Sequence, residues 1–111
     1  MVYRIAAVDE RGRIAETAIT SAVGWQPGER LRLEPLSTTT VAVRADPSGL
    51  FPLTRRGHLP LPAPVRRWCG LAPGDRVLLA ASREEGLVLV HTMAALEAMV
   101  TAFHAEGGDR R

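Results

Sequence analysis

The chain has 111 residues, 46% of them hydrophobic and 23% charged, and a formal net charge of +2. That length and apolar content suit one packed domain and exclude a disordered chain, which is too polar to bury a core. The longest apolar runs, residues 77–81 and 87–90, fall far short of the roughly 18 to 20 residues a membrane span needs, and no apolar signal core is present, so a soluble, cytoplasmic protein is expected.

All 14 basic side chains are arginine, and they are unevenly spread. Residues 1–46 hold six Arg and six acids, residues 47–76 hold five Arg against Asp75 alone, and residues 77–111 hold three Arg against five acids. Positive charge is therefore concentrated in the middle of the chain, which suits either a phosphate- or carboxylate-bearing partner or a solvated arginine face. Cys69 has no second cysteine to pair with, and no Cys/His cluster has metal-ligand spacing, so neither a disulfide nor a metal or other cofactor is expected. Cys69 reads as a small buried apolar residue.

In chain order, residues 2–8 predict a strand running into a glycine turn at Gly12 and a second short strand, followed by one or two helical turns. Thr17 is the expected N-cap of that helix, with Ile19, Ala22 and Val23 on its apolar side. Pro27-Gly28 has the order of a type II turn, because proline sets φ at the first central position and glycine accepts positive φ at the second. Arg30-Leu31-Arg32-Leu33-Glu34 alternates as a half-buried strand does, and a Ser/Thr-rich turn leads to a partner strand over residues 41–44.

After the turn-rich connection at residues 45–49 the same series recurs. Residues 50–54 predict a strand, Gly57 a turn, Pro64 a helix start, and Val65, Trp68 and Cys69 an apolar helix side from which Arg66 and Arg67 point away. Pro73-Gly74 repeats the turn, and strands follow at residues 77–81 and 87–90. The segment Gly24-Trp25-Gln26-Pro27-Gly28-Glu29-Arg30-Leu31 aligns with Gly70-Leu71-Ala72-Pro73-Gly74-Asp75-Arg76-Val77 at an offset of 46, and Arg11-Gly12 aligns with Arg56-Gly57 at 45. The expected organisation is a first repeat over 1–46, a second over 47–91, and a helix over 92–106. A unit of about 45 residues with four short strands buries too little apolar surface to stand alone, so the repeats should pack together.

Outside the repeats, Met93, Leu96, Met99, Val100 and Phe103 form one helical stripe, with Thr92 as N-cap and Gly107-Gly108 as a stop. The stripe suits either docking against the rest of the fold or contact with a second copy or another protein. Trp25 and Trp68 read as core or core-rim residues. His58, His91 and His104 are scattered, and no nucleophile–base or paired-carboxylate arrangement can be assembled, so no enzymatic activity is expected.

Residues 57–77, GHLPLPAPVRRWCGLAPGDRV, resemble the AbrB/MazE/SpoVT signature G-R-I-x-I-P-x-x-I-R-x-x-L-G-L-x-P-G-D-x-V. The match is carried by Gly57, Pro62, Val65, Arg66, Gly70, Leu71, Pro73, Gly74, Asp75 and Val77; His58, Trp68 and Cys69 depart from it. The first repeat keeps Gly12, Arg13, Ile14, Gly24, Pro27 and Gly28 but lacks the proline and one residue. The resemblance implies a mainly β fold with short helices, a swapped-hairpin barrel formed here as a single-chain pseudo-dimer, plus the C-terminal helix. It further implies a bacterial, nucleoid-associated transcriptional regulator that grips double-stranded DNA. The implied contacts are Arg55, Arg56 and His58 in the second repeat and Arg4, Arg11 and Arg13 in the first, with Arg66 and Arg67 on the second helix. Arginine suits that task because its planar fork pairs with phosphate or guanine in a bidentate way. The alternative is an antitoxin-like module that binds a protein through the C-terminal helix; such proteins carry a long acidic tail, whereas only residues 106–111 follow the helix here.

Overall fold

The structure is a computed structural model and describes residues 1–108. Eight strands and three helices follow in order: β1 (Val2–Ala7), β2 (Arg13–Ile14), α1 (Thr17–Ala22), β3 (Arg30–Pro35), β4 (Thr40–Ala45), β5 (Phe51–Pro52), β6 (Leu59–Pro60), α2 (Ala63–Cys69), β7 (Arg76–Ser82), β8 (Leu87–Thr92) and α3 (Met93–Phe103). One π-helical turn, His104–Gly108, continues α3.

The turns form where glycine permits them. Gly28 and Gly74 take φ of 86° and 91°, and Gly12 and Gly57 take 76° and 78°, all in the left-handed region that a side chain disfavours. Between them β3–β4 and β7–β8 fold as antiparallel hairpins, and these join through β4 and β8. The six-stranded sheet has the order β1-β7-β8-β4-β3-β5, all neighbours antiparallel, and β2 pairs with β6 in a separate ribbon.

The pairing crosses the repeats. β1 of the first repeat lies against β7 of the second, and β5 of the second lies against β3 of the first. Exchanging β1 with β5, β3 with β7 and β4 with β8 reverses the strand order and leaves it unchanged, so the chain has a pseudo-two-fold axis. The axis passes through the Ile14–Leu59 pair of the ribbon and the Ala42–Leu89 pair of the sheet.

The sheet does not close into a barrel: β1 and β5 are left as its two edges. The strand expected over 50–54 contributes only Phe51 and Pro52 to the ladder, and Pro52 has no N–H to donate. Beyond these edges the chain turns inward at Val8 and Leu53 and enters the ribbon, which covers the inner face of the sheet with the helices.

The core lies between those layers and includes Ile14, Ile19, Leu31, Val43, Leu59, Leu61, Val77, Leu79 and Val88, each no more than 1% exposed. Trp25 is buried as expected, but Trp68 is 57% exposed. α2 buries no residue completely, and its indole N–H reaches the Ser37 carbonyl on the β3–β4 loop at 3.2 Å instead of entering the core. Cys69 is half-buried, and burial pushes its thiol pKa up, which keeps it in the unreactive protonated form. Glu16, rather than Thr17, caps α1: its carboxylate accepts the Ala18 N–H at 3.0 Å. Thr92 caps α3 by accepting the Ala95 N–H. Only the first turns of α3 dock, with Ala95 buried and Met93 and Leu96 half-buried; Met99, Val100 and Phe103 are exposed. No helix among the described residues is long and apolar enough to cross a membrane.

Candidate nucleic-acid interface

Two turns, residues 9–13 and 54–58, are built alike. Val8 donates its N–H to the Asp75 carbonyl at 2.9 Å and accepts from the Gly74 N–H at 2.7 Å; Leu53 makes the same pair with Glu29 and Gly28 at 2.9 and 2.8 Å. Asp9 then donates to the Arg13 carbonyl and Gly12 to the Asp9 carbonyl, while Thr54 donates to His58 and Gly57 to Thr54. A side-chain oxygen closes each turn. The Asp9 carboxylate accepts the Arg11 and Arg13 N–H groups at 2.9 Å each, and the Thr54 hydroxyl accepts the His58 N–H at 2.9 Å.

Asp9 therefore builds a turn. The Arg13 N–H it accepts is the largest cause of its lowered pKa, with the Arg11 N–H and the charges of Arg13 and His58 adding to it. Its ionised form is engaged by backbone donors, and it forms no salt bridge with a neighbouring arginine.

Strand exchange brings the two turns together. The β2–β6 ribbon sets Arg13 opposite Pro60, and Asp9, Arg11, Arg13, Arg56 and His58 line one cleft of about 310 Å³ astride the pseudo-two-fold axis. Arg11 and Arg56 occupy equivalent places, as do Arg13 and His58. Arg55 is exposed in the second turn, and Glu10 stands at the equivalent place in the first. The one salt bridge among the described residues joins Arg32 to Asp46, so no carboxylate pairs with Arg11, Arg13, Arg55 or Arg56 there. Unpaired guanidinium groups around a concave polar surface make a site for an anion with several phosphate or carboxylate groups.

The remaining candidates fall elsewhere. Arg4 is exposed on β1 opposite Leu79, five residues before Asp9 and thus roughly 16 Å along the strand at about 3.3 Å per residue. Arg67 is exposed on α2 and does not line the cleft. Arg66 does not point away from the fold as its helix position suggested. Its guanidinium donates to the Leu61 carbonyl and lies against the Cα of Gly12, where any side chain at residue 12 would collide with it.

Thr20 has the corresponding place in the first repeat, and its hydroxyl donates to the Gly57 carbonyl at 3.1 Å. Each helix thus supports the other repeat's turn. Sequence reasoning missed this role, although the offset of 46 that aligns the repeats also aligns Thr20 with Arg66. A short threonine in that register was the available signal that the position faces inward.

A second cavity, of about 280 Å³, lies by the start of α3 and is lined by Cys69, Asp75, Arg76, Thr92 and Met93 among others. It gathers no convergent set of basic groups. No group of three His, Cys, Asp or Glu residues that could hold a metal ion occurs among the described residues. No family model, no curated protein and no solved structure matches the chain.

Proposed function

We propose that this chain is a DNA-binding transcriptional regulator of the AbrB-like swapped-hairpin kind, working as a single-chain pseudo-dimer. The carrying observation is that two turns with the same backbone hydrogen bonds, one from each repeat, present Arg11, Arg13, Arg56 and His58 on one cleft across the pseudo-two-fold axis. Duplex DNA has the matching chemistry, with closely spaced phosphates on two strands related by local two-fold axes. The exchange of β1 and β5 between repeats supports the family reading, because interleaved hairpins are what it requires. Fusing both halves in one chain makes the pairing intramolecular and independent of protein concentration.

In this account Arg11, Arg13, Arg55, Arg56 and His58 contact DNA, Arg66 and Thr20 position the turns, and Arg4 and Arg67 lie outside the contact surface. The test is fluorescence anisotropy on a mixed-sequence duplex between 50 and 200 mM salt, a range over which phosphate contacts are resolved, at roughly 0.9 in log–log slope per contact. Arg11→Ala/Arg13→Ala/Arg56→Ala is expected to flatten that slope by about two to three units. An unchanged slope, or no binding by the unaltered protein at the lowest salt, would overturn the proposal.

A second reading rests on α3. Met99, Val100 and Phe103 are 48%, 55% and 66% exposed on one helix stripe, which fits a protein-interaction module with or without DNA binding.

A further inference from the structure

The two turns share a backbone but not a charge pattern, and pseudo-symmetry makes the differences assignable position by position. Residues 9–13 read Asp-Glu-Arg-Gly-Arg and residues 54–58 read Thr-Arg-Arg-Gly-His. Asp9 and Thr54 both close their turns through a side-chain oxygen, so the backbone is alike, but Asp9 adds a carboxylate charge to the first turn beside Arg13 and His58. Glu10 and Arg55 are another matter. Both are exposed, at the same place in equivalent turns, and neither has a side-chain hydrogen bond or salt bridge among the described residues. One turn therefore presents a free carboxylate where the other presents a free guanidinium.

We propose, resting on the DNA-binding reading above, that Glu10 and Arg55 fix the direction in which the protein lies on a duplex. A symmetric pseudo-dimer would bind a palindrome equally well in two orientations related by its axis. Here the 54–58 turn meets a phosphate through Arg55, whereas the 9–13 turn is held off the equivalent phosphate by like-charge repulsion at Glu10. The Arg66 guanidinium beneath Gly12 adds a positive charge on the inner side of this turn but forms no salt bridge with Glu10, whose carboxylate stays on the exposed side. The first half-site is left to Arg11 and Arg13, which line the cleft. The preferred site is consequently two unlike halves in a fixed order.

The experiment selects bound duplexes from a random-sequence pool with the full chain, then compares the unaltered protein with Glu10→Arg and, separately, Arg55→Glu. The unaltered protein is expected to enrich a motif that is not its own reverse complement. Glu10→Arg should raise affinity for a palindrome made from the half-site bound by the 54–58 turn, and steepen the salt dependence on it by about 0.9 in log–log slope, one phosphate contact. Arg55→Glu should flatten the slope on the selected motif by a similar amount. Both positions are exposed, and far-ultraviolet circular dichroism checks that each variant is folded. A palindromic motif bound alike by the unaltered protein and Glu10→Arg would overturn the directional proposal while leaving DNA binding intact. Failure of the unaltered protein to enrich any duplex would overturn the DNA-binding reading and this inference with it.

Discussion

Gly12→Ala and Gly57→Ala should differ sharply in cost although the two glycines have nearly the same φ, 76° and 78°. Both substitutions place a side chain in the left-handed region, at about 1 kcal/mol each. At Gly57 the new methyl group meets Thr17 Cγ2 at 3.7 Å and Thr20 Oγ1 at 4.0 Å, which are ordinary contacts. At Gly12 it falls on the Arg66 guanidinium and must push it off the Leu61 carbonyl, losing a charge-assisted hydrogen bond of about 2 kcal/mol. The expected destabilisations are thus roughly 3 kcal/mol for Gly12→Ala and roughly 1 kcal/mol for Gly57→Ala. Equilibrium urea denaturation of both, together with Arg66→Ala and Gly12→Ala/Arg66→Ala, closes a double-mutant cycle with a coupling of about 2 kcal/mol. Equal costs at the two glycines, or additive effects of Gly12→Ala and Arg66→Ala, would refute the assignment of Arg66 as the support of the 9–13 turn.

Further outcomes follow from the same structure. Ile14→Ala and Leu59→Ala, on the pseudo-two-fold axis and each 1% exposed, should each cost roughly 2 to 5 kcal/mol and be non-additive in denaturant unfolding because the two residues pair. Asp9 has a folded pKa below its ordinary 3.8, so its stabilising contribution is present above 3.8 and lost as pH falls through the lower folded value; Asp9→Asn should flatten the loss of stability in that acid range. His91 is lowered from 6.5 by burial, so the unfolded chain takes up its proton first and stability falls as pH drops below 6.5; His91→Gln should remove that part of the pH dependence measured by thermal unfolding. Val100→Glu, at an exposed site, should change stability by no more than about 0.5 kcal/mol, while a fall in solution molar mass would favour contact between copies through α3.

Much of the architecture was legible because it is written in backbone-restricting residues. The glycines at 12, 28, 57 and 74 marked turns, those at 28 and 74 as type II, and their common spacing exposed the repeat. Strand alternation placed Leu31 on the inner face and Arg32 on the outer one, as the sheet has them. Which strands pair was a different problem, since nothing local to residues 2–7 distinguishes β3 from β7 as a partner. The expected exchange came from family resemblance, and the expected closure did not follow from it because β5 is cut to two residues at Pro52.

At the candidate site, Arg11, Arg13, Arg56 and His58 were singled out by the family resemblance, and they line one cleft. The places of Arg66 and Trp68 were not legible. Helix periodicity sorts residues into faces, but α2 sits at the rim, where one face meets another repeat's turn and the other meets the β3–β4 loop. Glu16 displaced Thr17 as cap because its longer side chain reaches the Ala18 N–H from one position earlier.

The most direct test of the central claim is to follow backbone amide resonances as a mixed-sequence duplex is titrated into the protein at low salt. The largest shifts are expected in residues 9–13 and 54–58, on both sides of the pseudo-two-fold axis, with α3 unaffected. Shifts confined to α3, or none at all, would contradict that claim.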